Sequence, residues 1–270
     1  MKHLKSVTAV PAAASIMLTS SALGAPLEPT SKWWLDYDEA QCVASRDYGT
    51  KADPISIGFK PSPMGGIMRI LVVQNGPYLL ADQYTAWVKF GDQPAMKMSA
   101  LQYAESKKKL RVVSINVPRS VIEANKDAKS ITIDTAGLSR TFVLSDVPAL
   151  LDELDKCLVD LREIWHLGKY DEVAKGPVPN KPLGEVFRSE DYPASALLGH
   201  DEGSVQVVLL VDEAGNIGDC SVETSSDIPT LDTMSCHVFQ ERVHFTPAVD
   251  KSGQPVKSGY APRIKWQVAR

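Results

Sequence analysis

Alternating apolar and polar positions dominate the first half of the chain. After Trp33, Trp34 and Leu35, residues 42–45 read as a short strand. Residues 55–59 and 68–73 read as two strands joined through the Pro/Gly-rich stretch 61–66. Residues 85–90 alternate less cleanly but hold Trp87, Val88 and Phe90, and 110–117 is a clear strand. Pro118 marks a helix start, with 119–128 as a short helix. Residues 130–134 and 140–144 predict a hairpin around Ala136-Gly137.

The period then changes. Leu150, Leu154, Cys157, Leu158, Leu161 and Trp165 recur at three- and four-residue steps with charged residues between them, which predicts an amphipathic helix whose stripe covers a sheet. Asp146 stands where a cap belongs, and Pro148 is tolerated in the first turn. Gly176, Pro177, Pro179, Pro182 and Gly184 mark 167–190 as an interdomain linker. Beyond it, Tyr192-Pro193 precedes a short helix at 194–198. A strand at 205–211 places Val205, Val207, Leu209 and Val211 on one face, with Val208 and Leu210 adding apolar weight to the other. A turn at 212–216 leads to a strand carrying Cys220 and Val222. A helix follows with Leu231, Met234, Val238 and Phe239 inward and Cys236 flanking them. The last strand, 263–269, alternates Ile264, Trp266 and Val268.

The N-terminus adds a location. Lys2 and Lys5 precede an uncharged stretch, 6–23, that ends in Ala22-Leu23-Gly24, the layout of a secretory signal peptide occupying 1–24. Cutting after Gly24 is favoured over cutting after Ala25, which would leave Pro26 beside the scissile bond. Pro11 and several Ser and Thr residues make 6–23 a poor membrane span, so an uncleaved inner-membrane anchor is the alternative. With 270 residues, 44% of them hydrophobic, the chain can bury one or two cores. A formal charge of −4 and the lack of a basic stripe beyond Lys107-Lys108-Lys109 argue against nucleic acid as a partner.

Cys42, Cys157, Cys220 and Cys236 are the four cysteines, an even count that in an exported protein points to disulfides. Four cysteines allow three pairings. Cys220 on a strand and Cys236 on the helix that covers it can meet within one small domain, which leaves Cys42 with Cys157. A metal site using Cys236, His237 and His244 is the competing reading; it lacks a C-x-x-C, and adjacent Cys and His do not easily share one ion. No metal and no cofactor is expected. Asp134-Thr135-Ala136-Gly137 is a near miss to an aspartic-protease Asp-Thr-Gly and reads better as a hairpin tip. Nucleophile-elbow, zincin and phosphate-loop motifs are missing.

The ordered set from Tyr192-Pro193 through the apolar strand, Ser225-Ser226, Leu231-Asp232, Phe245-Thr246-Pro247-Ala248, Gly253 and Pro255-Val256 to the final strand resembles the C-terminal domain of the TonB family. That family's periplasmic proteins dock onto outer-membrane transporters. True TonB proteins carry Gln-Pro-Gln before Tyr-Pro, whereas this chain has Ser189-Glu190-Asp191. The fold class expected is α+β. A mixed-sheet N-terminal domain of unknown role (27–166) with a long C-terminal helix precedes a small TonB-like domain (191–270), a three-stranded antiparallel sheet packed by helices. The resemblance implies recognition by strand addition. Its partner-binding residues are Tyr192, Pro193, Arg263, Ile264, Lys265, Trp266, Gln267 and Val268. The partner is a TonB-box-like peptide of an outer-membrane transporter or another periplasmic protein, with pairing of two copies through the same strand as a further expectation. The rival expectation is a hydrolase or other enzyme with its site in the N-terminal domain.

Overall fold

The computed structural model describes residues 25–76, 82–105, 109–168 and 172–268. Residues 1–24, on which the leader reading rests, and Ala269 lie outside the described residues. The first half forms β1 (Trp34–Asp38), β2 (Gln41–Gly49), β3 (Pro54–Pro61), β4 (Ile67–Asn75), β5 (Asp82–Phe90), β6 (Met96–Glu105), β7 (Leu110–Pro118), α1 (Arg119–Ala124), β8 (Ser130–Thr135) and β9 (Leu138–Val143). These strands build one nine-stranded sheet in the order β1-β2-β3-β4-β7-β6-β5-β8-β9. Every pair in it is antiparallel, which corrects the mixed sheet expected. The reason is connection length: most neighbours are joined by tight turns, and parallel pairing needs a long crossover.

The sheet curls until its ends meet. Leu27 bridges to Phe142 on β9, the one parallel contact among the described residues, and Pro29 bridges to Tyr48 on β2. The Leu27 amide donates to the Thr141 carbonyl at 2.8 Å and the Val143 amide to the Leu27 carbonyl at 2.9 Å, while Tyr48 Oη donates to the Val143 carbonyl at 2.8 Å. Segment 27–30 therefore closes a barrel. Ile57, Ile70, Val88, Ile115, Ile133 and Phe142 fill it and are essentially unexposed.

Helix α2 (Val147–Ile164) caps this core with Leu150, Leu151, Leu154, Leu158 and Leu161. Asp146 sits at its N-cap with φ 61° and makes no side-chain cap bond, so the expected capping role fails. The disulfide Cys42–Cys157, with Cα atoms 6.0 Å apart, ties α2 to β2.

The second half comprises β10 (Val173–Lys175), β11 (Val178–Pro179), α3 (Leu183–Val186), α4 (Ala194–Gly199), β12 (Gly203–Val211), β13 (Ile217–Thr224), α5 (Pro229–Arg242), β14 (Phe245–Thr246), β15 (Ala248–Asp250), β16 (Pro255–Val256), β17 (Ser258–Tyr260) and β18 (Arg263–Trp266). The stretch expected as a linker carries structure of its own: β10 pairs with β15 and β11 with β14. Pro and Gly there shape short edge strands.

In the main sheet β12 is central. β13 lies on one side, and β17 and β18 lie end to end on the other. The third strand is thus split, because Ala261-Pro262 interrupts it and Pro262 has no N–H to donate. Residues 263–266 form the final strand in place of the longer 263–269 expected.

The two faces of β12 serve two cores. Val205, Val207, Leu209 and Val211 join Cys220, Val222, Leu231, Val238, Phe239 and Trp266 under α5. Val208 and Leu210 belong to the barrel's cluster. Cys220–Cys236, with Cα atoms 5.6 Å apart, staples α5 to β13. Helices therefore cover one face of the small sheet, and the barrel covers part of the other.

Candidate docking edge

The ladder geometry fixes which backbone groups of β18 are free. Gly203, Val205 and Gln206 stand opposite Trp266, Ile264 and Arg263, and in the same register the Val207 amide donates to the Pro262 carbonyl at 3.2 Å. In an antiparallel ladder hydrogen-bonded pairs alternate with non-bonded ones. Val207/Pro262, Val205/Ile264 and Gly203/Trp266 are thus the bonded pairs. The N–H and C=O of Arg263 and Lys265 point away from β12, and among the described residues no strand pairs with that outer edge.

The side chains alternate accordingly. Ile264 and Trp266 are buried at 8% and 5% exposure, while Arg263, Lys265 and Gln267 are exposed. Trp266 anchors the strand. Its Nε1 donates to Ser235 Oγ at 3.0 Å, and its ring meets Tyr192 (5.4 Å) and Phe187 (5.7 Å) edge to face, geometries that aromatic pairs favour. Arg263 donates to Gln206 Oε1 at 3.0 Å, and the Val268 amide donates to Glu202 Oε1 at 3.0 Å.

The Tyr-Pro pair is split between two surroundings. Tyr192 packs on Trp266 and donates from its hydroxyl to the Asp201 carbonyl at 2.6 Å; burial pushes its phenol above the ordinary value. Pro193 precedes α4 and lines a groove of about 730 Å³ with Asp82, Tyr84, Met234 and His237. Just before them, Asp191 takes a two-pronged bond from Arg242, both contacts at 2.6 Å. This bond, first, and the Arg188 amide hold its carboxyl below the usual range. Tyr192 and the final strand are brought together through Trp266; Pro193 faces the barrel side.

Sequence reasoning missed Glu202 and Asp201, which fasten the strand end and Tyr192. A carbonyl acceptor leaves no trace in sequence. It also missed β17, for which Pro262 was the available signal. The other chemistry reads as structure. Cys236 is spent in its disulfide, and His237 lies 3.3 Å from Glu241 on the same helix. Thr135 at the Asp-Thr-Ala-Gly tip donates to the Thr85 carbonyl at 2.8 Å. Glu39 pairs with Lys257 at 2.7 Å, the bond that chiefly lowers its carboxyl pKa. Among the described residues no cluster of three His, Cys, Asp or Glu is placed to hold a metal, and no helix is long and apolar enough to cross a membrane.

An α5-backed antiparallel sheet in which, among the described residues, the outer edge of β18 is unpaired is the class of module these features define. Residues 188–268 match the family model described as Gram-negative bacterial TonB protein C-terminal. The match runs from just before the Tyr-Pro pair to the end of the described chain and leaves the barrel outside it. Comparison with curated proteins and with solved structures gave no match.

Proposed function

We propose that this is an exported periplasmic protein whose C-terminal module docks an extended, TonB-box-like peptide of an outer-membrane transporter along β18. The observation that carries the reading is the unpaired outer edge at Arg263 and Lys265, within a module matching the TonB C-terminal model. Main-chain bonds would supply affinity in such strand addition, and side-chain alternation would supply selectivity. Two disulfides accord with an oxidising compartment.

Charge favours a foreign strand over a second copy. Two β18 strands paired edge to edge would set Arg263 and Lys265 of both chains on one face, and like charges across strands repel. An incoming strand with acidic residues on that face is the better complement. In linkage to TonB-dependent transport, the module supplies the docking half of the work.

The test compares Lys265→Pro with Lys265→Ala. The proline removes an outward N–H and obstructs the lane, while the alanine removes only the charge. A main-chain bond contributes about 1 kcal/mol net, and each 1.4 kcal/mol is tenfold in Kd. Lys265→Pro is expected to weaken binding of a TonB-box-like peptide at least about fivefold more than Lys265→Ala, with folding intact by circular dichroism. Equal affinity of the two variants counts against strand addition.

A further inference from the structure

A three-stranded sheet has two edges, and the barrel stands against the second. The ladder that turns Val207 toward β18 turns Val208 and Leu210 toward β13, where their partners are Ser221 and Asp219. The N–H and C=O of Cys220 and Val222 therefore point outward from β13. They face a cleft of about 440 Å³ whose far wall is the barrel's outer surface, including Arg69, Leu101, Tyr103 and Asn116.

Contacts cross from the barrel at both ends of β13. Lys60 Nζ lies 3.1 Å from Asp219 Oδ1. At the far end the Glu223 carboxylate accepts from Ser62 Oγ (3.0 Å), the Met64 amide (2.7 Å) and the Gly66 amide (3.3 Å). Gly66 lies so close that a Cβ there would come 3.1 Å from the Glu223 carbonyl oxygen. Asn116 of β7 donates to Asp232 of α5 at 3.1 Å across the same cleft.

An added strand needs a lane about 4.8 Å from its neighbour, with room for its own side chains. Contacts from the barrel bridge that lane at both ends of β13 and leave only the cleft of about 440 Å³ between them. A small sheet with two open edges is also prone to head-to-tail growth. We infer that the N-terminal barrel is an edge guard. It keeps β13 from accepting a strand, so the chain presents one acceptor edge, β18, and takes one extended partner. This gives the barrel a role in recognition without a ligand of its own. That β18 is then the acceptor edge rests on the docking reading; the guarding of β13 is read without a peptide, so the two fail separately.

Amide hydrogen exchange on the full chain tests it. In the parent, the Cys220 and Val222 amides are expected to exchange at least about tenfold more slowly than those of Arg263 and Lys265. Gly66→Val places branched bulk against Glu223 and is expected to speed Cys220 and Val222 at least about tenfold, with α5 amides unchanged. Self-association in sedimentation should appear in the variant and not in the parent. If Gly66→Val also speeds α5, it has unfolded the module; Glu223→Gln, which keeps the shape and removes the charge that accepts three bonds, is then read by the same criterion. Cys220 and Val222 amides that exchange in the parent as fast as Arg263 and Lys265 overturn the inference. So does a variant with α5 intact in which β13 exchange is unchanged.

Discussion

Leu209 and Leu210 are neighbours on β12, both unexposed, and they belong to different cores. Replacing either by Ala removes three buried carbons and leaves a cavity, at a cost of about 2–5 kcal/mol. The cost should fall in different places. Leu209 packs under α5, so Leu209→Ala should lower the opening free energy of the module alone. Leu210 packs with the barrel, so Leu210→Ala should lower module and barrel protection together. Native-state amide exchange resolves the two, because openings of different size report separately. At tenfold per 1.4 kcal/mol, the loss reads as a roughly 30- to several-thousand-fold faster exchange. In Leu209→Ala the effect is expected at Ser221, whose amide is bonded in the ladder to Val208, and at Val238, with Ile57 and Ile133 holding the parent rate. In Leu210→Ala all four should speed up. An effect of Leu210→Ala confined to the module, or one under about 1 kcal/mol, would refute the shared-strand account.

The disulfides and the buried acids give further expectations. In the chain-entropy model, closing the 16-residue separation of Cys220–Cys236 contributes about 3 kcal/mol, and the 115-residue separation of Cys42–Cys157 contributes about 5 kcal/mol. Paired Cys→Ala variants in urea unfolding should rank in that order, and the reverse order contradicts the model. Burial raises the Glu223 carboxyl above 4.5, against the opposing pull of its bonds from Met64, Ser62 and Gly66. The folded chain then holds this proton more tightly than the unfolded chain, so its contribution is fullest below 4.5 and is lost as pH rises through the raised value. Glu223→Gln should flatten that part of the stability profile; an unchanged slope counts against it. Asp191 runs the other way. Held below 3.8 chiefly by Arg242, it contributes stability above that value and loses it as pH falls through the depressed one. Asp191→Asn should therefore cost less in acid than at neutral pH, a difference urea melts can read.

Strong periodicity made most of the fold legible. The 3.6-residue stripe from Leu150 to Trp165 and the alternation at 110–117 correspond to α2 and β7 within a residue or two at most ends. β6 was silent, because Met, Ala, Lys, Gln and Glu are poor strand formers and its extended form is imposed by β5 and β7 on either side. Barrel closure was silent too, since it rests on two isolated bridges at Leu27 and Pro29. The apolar weight at Val208 and Leu210 was visible, and its partner was not: a second buried face says that something covers it without saying what. For the docking edge, Ile264 and Trp266 declared the inward face by alternation. The outward direction of the Arg263 and Lys265 amides depends on pairing parity, which only the register with β12 sets. The cover over β13 depends on long-range contacts from Lys60, Ser62 and Gly66 that no local pattern encodes.

The most direct measurement is amide exchange on the full chain with and without a saturating TonB-box-like peptide. Strand addition at β18 predicts that the Arg263 and Lys265 amides slow at least about tenfold, while Cys220 and Val222 keep their rates. Peptide binding that leaves Arg263 and Lys265 unprotected would contradict the account.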